Sequence, residues 1–128
     1  MSLTYADGRD LLDAYVLART RYDGDAFTAL FTDDGELGLD PFTPPLAGHN
    51  ALRAYLLTAA ATERHLDLAI ERHWVSGQHV LAAWHASWNR VPDGAKVRQA
   101  GFLTAEVGDD GRIMRLRTWI VTREIPAG

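Results

Sequence analysis

The chain has 128 residues, a formal net charge of −4 from 13 Lys and Arg against 17 Asp and Glu, and no cysteine. That length gives one domain with room for a substantial core, and its basic residues form no run of the kind that marks a nucleic-acid footprint. The lack of cysteine excludes thiolate catalysis, disulfides and Cys-based zinc sites, and no apolar stretch approaches the roughly 20 residues that cross a bilayer. The first residues lack the basic start and apolar core of a signal peptide, so a cytoplasmic location is expected.

In chain order, Thr4 or Asp7 can cap a first helix running to about Tyr22, with Leu11, Leu12, Tyr15, Val16 and Ala18 on its apolar face. Asp23-Gly24-Asp25 ends it, and Asp25 caps a short second helix over 26–31. Thr32-Asp33-Asp34-Gly35 reads as a turn, after which 36–40 alternate polar and apolar residues as a half-buried strand. Asp40 stands at the end of that strand, and Pro41 restricts the chain there before a Pro-rich loop. A carboxylate held there can be a base, a cap or a turn residue. Gly48-His49-Asn50 leads into a third helix with Leu52, Tyr55, Leu56 and Ala59 on its inner stripe.

From Leu66 the pattern changes to strands over 66–76, 79–91, 96–107 and 112–123, separated by turn-rich breaks at Gly77-Gln78, Pro92-Asp93-Gly94 and Gly108–Gly111. Short connections imply an antiparallel meander, and helices first with strands later make an α+β domain with its core over about 7–123. A two-residue hairpin at Gly77-Gln78 sets Trp74 beside Leu81, Arg72 beside Ala83 and Ile70 beside His85. One face then holds Leu66, Leu68, Ile70, Trp74, Leu81, Ala83, His85 and Ser87, and being the more aliphatic it is expected to take the helices. The other holds Glu71, His73, Val75, Val80, Ala82, Trp84, Ala86 and Trp88. Its large aromatics among charges predict a homodimer through Trp84, Trp88 and Trp119.

Quoted along the chain, Asp13-Ala-Tyr15-Val, Tyr22-Asp-Gly-Asp25, Ala29-Leu-Phe-Thr-Asp-Asp34, Leu39-Asp-Pro41 and Leu46-Ala-Gly48 resemble the N-terminal pattern of SnoaL-like and ketosteroid-isomerase-like proteins of the nuclear transport factor 2-like superfamily. Gly111-Arg112-Ile113 and the alternation after it resemble that family's final hairpin, so the resemblance spans roughly 9–122. It implies a cone-shaped fold of three N-terminal helices on a curved antiparallel sheet. The same fold serves isomerases, hydrolases, dehydratases, cyclases and binding modules, so it specifies chemistry poorly. Tyr15 falls where the isomerases carry an oxyanion-hole tyrosine, and Asp40 falls where they carry the general base, with one extra residue in the strand before it. Their second donor, a protonated aspartic acid, is replaced here by Leu103. The acidic residue that SnoaL-like cyclases often carry late in the last strand is replaced by Arg117-Thr118-Trp119.

These readings predict a pocket for a small, mostly apolar molecule of polyketide, terpenoid or steroid type, with Tyr55, Leu68, Ile70, Trp74, Leu103, Leu116 and Thr118 as binding residues. If the protein is an enzyme, the expected chemistry is proton abstraction next to a carbonyl, with Asp40 as base, Tyr15 as donor and His85 as auxiliary acid or orienting group. The alternatives are a non-catalytic binding or dimerisation module, in which Asp40 caps its turn and Tyr15 packs, and a hydrolase or dehydratase whose water is activated between Asp40 and His85. The five histidines show no metal-ligand spacing, and neither a Gly-rich phosphate loop nor a Ser-centred elbow is present. No cofactor and no metal is expected.

Overall fold

In the computed structural model, which describes residues 2–128, Thr4 starts helix α1 (Tyr5–Thr20). The Thr4 hydroxyl accepts from the Asp7 amide at 3.0 Å and the Asp7 carboxylate accepts from the Thr4 amide at 2.9 Å, which satisfies two backbone donors that the first helical turn leaves free. Those bonds hold the Asp7 carboxyl below its usual pKa. Asp23, rather than the predicted Asp25, caps helix α2 (Gly24–Ala29) by accepting from the Ala26 amide at 3.1 Å. Strand β1 (Phe31–Gly38) follows directly, so the expected Thr32–Gly35 turn is an irregular stretch within a strand. Strand β2 (Leu46–Ala47) and helix α3 (His49–Thr62) come next. The chain then runs through β3 (Glu63–Ser76), β4 (His79–Arg90), β5 (Lys96–Val107) and β6 (Ile113–Ile125).

The six strands form one sheet in the order β2-β1-β6-β5-β4-β3. The expected antiparallel meander is β3 to β6, but β1 joins β6 in parallel, so the sheet is mixed. This pairing carries the chain after β1 to the side of the sheet's last strand. Helix α1 packs closely on β3: a Cβ added at Gly8 would lie 2.6 Å from Val75 Cγ2, so only glycine allows that approach. Phe27, Phe31, Leu37, Leu52, Leu103, Ile113 and Leu116 fill the core between helices and sheet. Phe27 sits among Tyr15, Phe31 and Tyr55, with ring centroids 5.6, 5.4 and 6.3 Å away, and so joins all three helices to β1.

The predicted sheet faces need correction, and the cause is one residue. Trp74 pairs with Leu81 and Arg72 with Ala83 as expected, but the register then shifts, and Ile70 pairs with Trp84 rather than with His85. The extra residue, Glu71, makes a bulge that reverses the phase of β3. Leu66, Leu68 and Ile70 therefore share the inner face with Val80, Ala82, Trp84, Ala86 and Trp88, whereas Leu81, Ala83, His85 and Ser87 turn outward. The aromatic face of β4, not its Leu81–His85 face, receives the helices. Trp84 is buried in the core, and Trp119, level with Phe102 and Ala83, stands on the opposite side of the sheet. The expected dimer face made of Trp84, Trp88 and Trp119 together does not exist.

Candidate functional site

Between α1, α3 and the inner sheet face lies a cavity of about 60 Å³. Leu39, Leu66, Leu68, Ile70, Trp84, Ala86, Trp88, Leu103 and Ile120 make its apolar wall, and Tyr15, Arg19, Tyr55, Gln99 and Thr118 bring polar atoms to it. Several of these residues are only half-buried, so the cavity reaches solvent. Leu103, on β5, packs into the wall as an ordinary core residue.

The polar end is built from the last turn of α1 and the junction of α3 with β3. Arg19 lies four residues after Tyr15, hence on the same side of α1. Its Nη1 and Nη2 donate to Glu63 Oε1 and Oε2 at 3.0 and 2.8 Å, a bidentate pair in which both side chains are buried. Its Nε donates to the Tyr55 hydroxyl at 3.2 Å, and the Tyr22 hydroxyl donates to Glu63 Oε1 at 3.0 Å. The Arg19 guanidinium also lies 5.3 Å from the Tyr55 ring and 5.7 Å from the Tyr22 ring. Burial alone pulls the Arg19 pKa down, but the Glu63 bonds and the negative charge around it outweigh this and raise it above the ordinary value. The cation at the cavity is therefore permanent and already neutralised by its partner.

Tyr15 is different. Burial, with Tyr55 adding to it, pushes its phenol above the ordinary tyrosine pKa, so the hydroxyl stays protonated and available as a donor. No hydrogen bond to that hydroxyl is found among the described residues. Tyr55 accepts from Arg19 and keeps its own proton free. At the other side of the cavity several polar groups bond within the protein. Trp84 Nε1 donates to Thr118 Oγ1 at 3.0 Å, Thr118 reaches the Phe102 carbonyl at 3.4 Å, and Gln99 Nε2 donates to Thr122 at 3.2 Å.

Of the sequence-predicted residues, Tyr15, Tyr55, Leu68, Ile70, Leu103 and Thr118 lie on this cavity. Leu116 is buried in the core without lining it, and Trp74 stands on the outer face beside Phe102, with the Arg72 guanidinium 5.1 Å from its ring. Asp40 is exposed: its carboxylate accepts from the Phe42 amide at 2.9 Å and the Thr43 hydroxyl at 3.3 Å, the bonds of a residue that caps its own turn. Alternation explains this, because Leu37 and Leu39 point inward on either side of Gly38, so Asp40 points out. His85, turned out by the Glu71 bulge, bonds Glu71 at 2.9 Å on the outer face. Asp40 borders a surface groove with Glu36, Arg115 and Trp119, and His85 a different depression with Arg98 and Arg123, so the two side chains do not share a site. Sequence reading passed over Arg19 and Glu63; the four-residue spacing from Tyr15 to Arg19 was the available signal.

The SnoaL-like domain family matches residues 12–116. No curated protein matches the sequence. Among solved structures, a computationally designed 17-OHP binder has a TM-score of 0.78 at 20% identity over 97% of this chain and 99% of its own. An LEH-like epoxide hydrolase from M. tuberculosis scores 0.75 at 20% identity, covering 91% of this chain and 84% of its own. A putative isomerase from Bacillus subtilis scores 0.78 at 19% identity, covering 91% and 88%. A binder, a hydrolase and an isomerase on one scaffold, at such identities, establish the fold and leave activity to the cavity.

Proposed function

The chain belongs to the SnoaL-like domain family of the nuclear transport factor 2-like superfamily, and we propose that it binds a neutral, mostly apolar small molecule by a single hydrogen-bond-accepting oxygen. The observation that carries this reading is the half-buried Tyr15, whose hydroxyl has no hydrogen-bond partner among the described residues and lines the largely apolar cavity. A carbonyl or ether oxygen there would gain that bond and the free proton of Tyr55. A carboxylate would not be favoured, because the one cation at hand is already bonded twice to Glu63. The cavity volume is far below the roughly 300–1,000 Å³ of sites for drug-sized ligands. The site as folded takes a few heavy atoms, either a small molecule or the oxygen-bearing end of a larger one whose body lies along Leu66 and Trp88 toward solvent.

Binding without chemistry is favoured over proton transfer because no carboxylate or histidine is free on the cavity wall. The enzymatic reading keeps one point in its favour: Leu39, next to Asp40, does line the cavity. Calorimetric titration with a ketone and with the hydrocarbon of the same skeleton separates these readings. Tyr15→Phe is expected to weaken ketone binding about tenfold, the worth of one buried hydrogen bond, and to leave the hydrocarbon unchanged. Asp40→Asn is expected to alter neither. Equal loss for both ligands in Tyr15→Phe would remove the acceptor reading. Turnover of a ketone that Asp40→Asn abolishes would establish the enzyme instead.

A further inference from the structure

Away from the cavity, the outer face of the sheet carries an open depression of about 560 Å³ where β5 begins and β6 finishes. Its floor follows from strand pairing. His85, Ala100 and Val121 form one row across β4, β5 and β6, and Ser87, Arg98 and Arg123 form the next. All six are outward positions of their strands, so the sheet itself separates the depression from Tyr15 and Tyr55. Val121 is 76% exposed, and Arg98 and Arg123 are exposed beside it.

Arg98 and Arg123 stand directly opposite each other across β5 and β6. Such a pair has its Cβ atoms about 4.5–5.5 Å apart, and like charges so placed cost free energy unless something neutralises them. Among the described residues neither arginine makes an ion pair. The carboxylates next to them on this face, Asp67 and Glu71, belong to β3, two strands from Arg98 and so about 10 Å away by strand spacing. Glu71 is engaged by His85 at 2.9 Å, and Glu124, beside Arg123 in the chain, is taken by Arg90. Lys96, two residues before Arg98 on the same face, adds a third cation without an ion-pair partner. In a chain of net charge −4, positive charge is concentrated at this end of the face.

We propose that this depression binds a phosphate monoester whose organic part is small and apolar. Two guanidiniums on adjacent strands offer forked N–H donors to one oxyanion. A phosphate monoester near pH 7 carries about −1.5 to −2, which matches both arginines; a carboxylate or a sulfate ester carries one charge and leaves an arginine uncompensated. Ser87, in the same row, adds a hydroxyl donor. Ala100 and Val121 carry no polar side-chain atoms, so the organic group rests on them, pointing toward the Phe102–Trp119 row. The volume lies within the roughly 300–1,000 Å³ of small-molecule sites. Asp67, Glu71 and Glu106 elsewhere on the face repel a longer polyanion such as a nucleic-acid strand.

The test is calorimetric titration of 1-naphthyl phosphate into the full chain at about pH 7.5, where the ester is a dianion. Circular dichroism confirms that each variant is folded. The wild type is expected to bind the ester with a Kd below about 1 mM. It is expected to bind 1-naphthyl sulfate, which lacks the second charge, and inorganic phosphate, which lacks the apolar group, about tenfold more weakly. Arg98→Gln and Arg123→Gln are each expected to weaken ester binding about tenfold, whereas Arg72→Gln, which removes the same charge elsewhere on the face, leaves it within about twofold. Backbone amide resonances of Arg98, Ala100, Val121 and Arg123 are expected to shift during the titration. No binding by the wild type, equal loss in Arg72→Gln, or shifts at Tyr15 and Tyr55 instead would each overturn the proposal. So would sulfate ester, inorganic phosphate or an oligothymidylate binding as tightly as the phosphate ester.

Discussion

Gly101 shows how one missing atom shapes the site. It lies directly opposite Trp84 on the neighbouring strand, and a Cβ there would come within 2.3 Å of Trp84 Cε2 and Cζ2. The indole lies across the glycine, and from that position its Nε1–H reaches Thr118. Any side chain at this position displaces the ring, opens the cavity wall and breaks that bond. Gly101→Ala is expected to cost about 1–3 kcal/mol in denaturant unfolding, the range for overpacking a close-fitted core. Its tryptophan fluorescence is expected to shift toward that of a more hydrated indole. An unchanged midpoint and spectrum would show that Trp84 can move away at no cost.

The Arg19–Glu63 pair acts at the scale of elements, because it ties the end of α1 to the point where α3 turns into β3. Removing one partner leaves the other charge buried without compensation, which is worth about 3–5 kcal/mol; replacing both by apolar residues of similar volume is often neutral. Arg19→Met and Glu63→Leu are each expected to lower the unfolding free energy by that amount. The double variant is expected to recover most of it in urea denaturation. Additive losses would mean that the two side chains do not act as a pair. The Glu71 bulge is the other device at this scale. Its single extra residue lets one strand offer Leu66, Leu68 and Ile70 to the cavity and His73 and Val75 to α1. There His73 Nε2 lies 3.1 Å from the Tyr5 carbonyl, and its ring stacks on Tyr5 at 3.9 Å.

For the whole molecule, the tyrosines at the polar end make stability depend on alkaline pH. Tyr15 is raised by burial, and Tyr22 by burial and then by the Glu63 carboxylate. Below the unfolded phenol pKa of about 10 both states hold these protons, so the contribution is fully present. Above it the unfolded chain releases them while the folded chain does not, and stability falls by up to about 1.4 kcal/mol per pH unit for Tyr15. Unfolding midpoints are expected to be flat from neutrality to about pH 10 and to fall beyond it, with Tyr15→Phe flattening the fall. A fall of the same slope in that variant would place the effect elsewhere. No helix among the described residues is long and apolar enough to cross a membrane.

Much of the architecture was legible in the residues, because local patterns determine it. Thr4 with Asp7, Asp23-Gly24-Asp25, Gly77-Gln78 and Gly108–Gly111 are capping and turn chemistry that acts over a few residues, and the helices and the β3–β6 meander follow from it. The Leu37–Leu39 alternation, read by itself, already turns Asp40 outward. Other features depended on contacts between distant residues. The bulge at Glu71 arises where β3 meets β4, and it decided that Trp84 faces the core and His85 the outside. The parallel pairing of β1 with β6 joins segments some 80 residues apart and has no short-range signature. The Arg19–Glu63 pair spans 44 residues, and only the fold brings its charges close enough to neutralise each other. Sequence alone determined the three helices and the β3–β6 strands; the extent of β1, which side of a strand faced the cavity, and which charge met which were decided by packing, since a shift of one residue reverses every side chain beyond it.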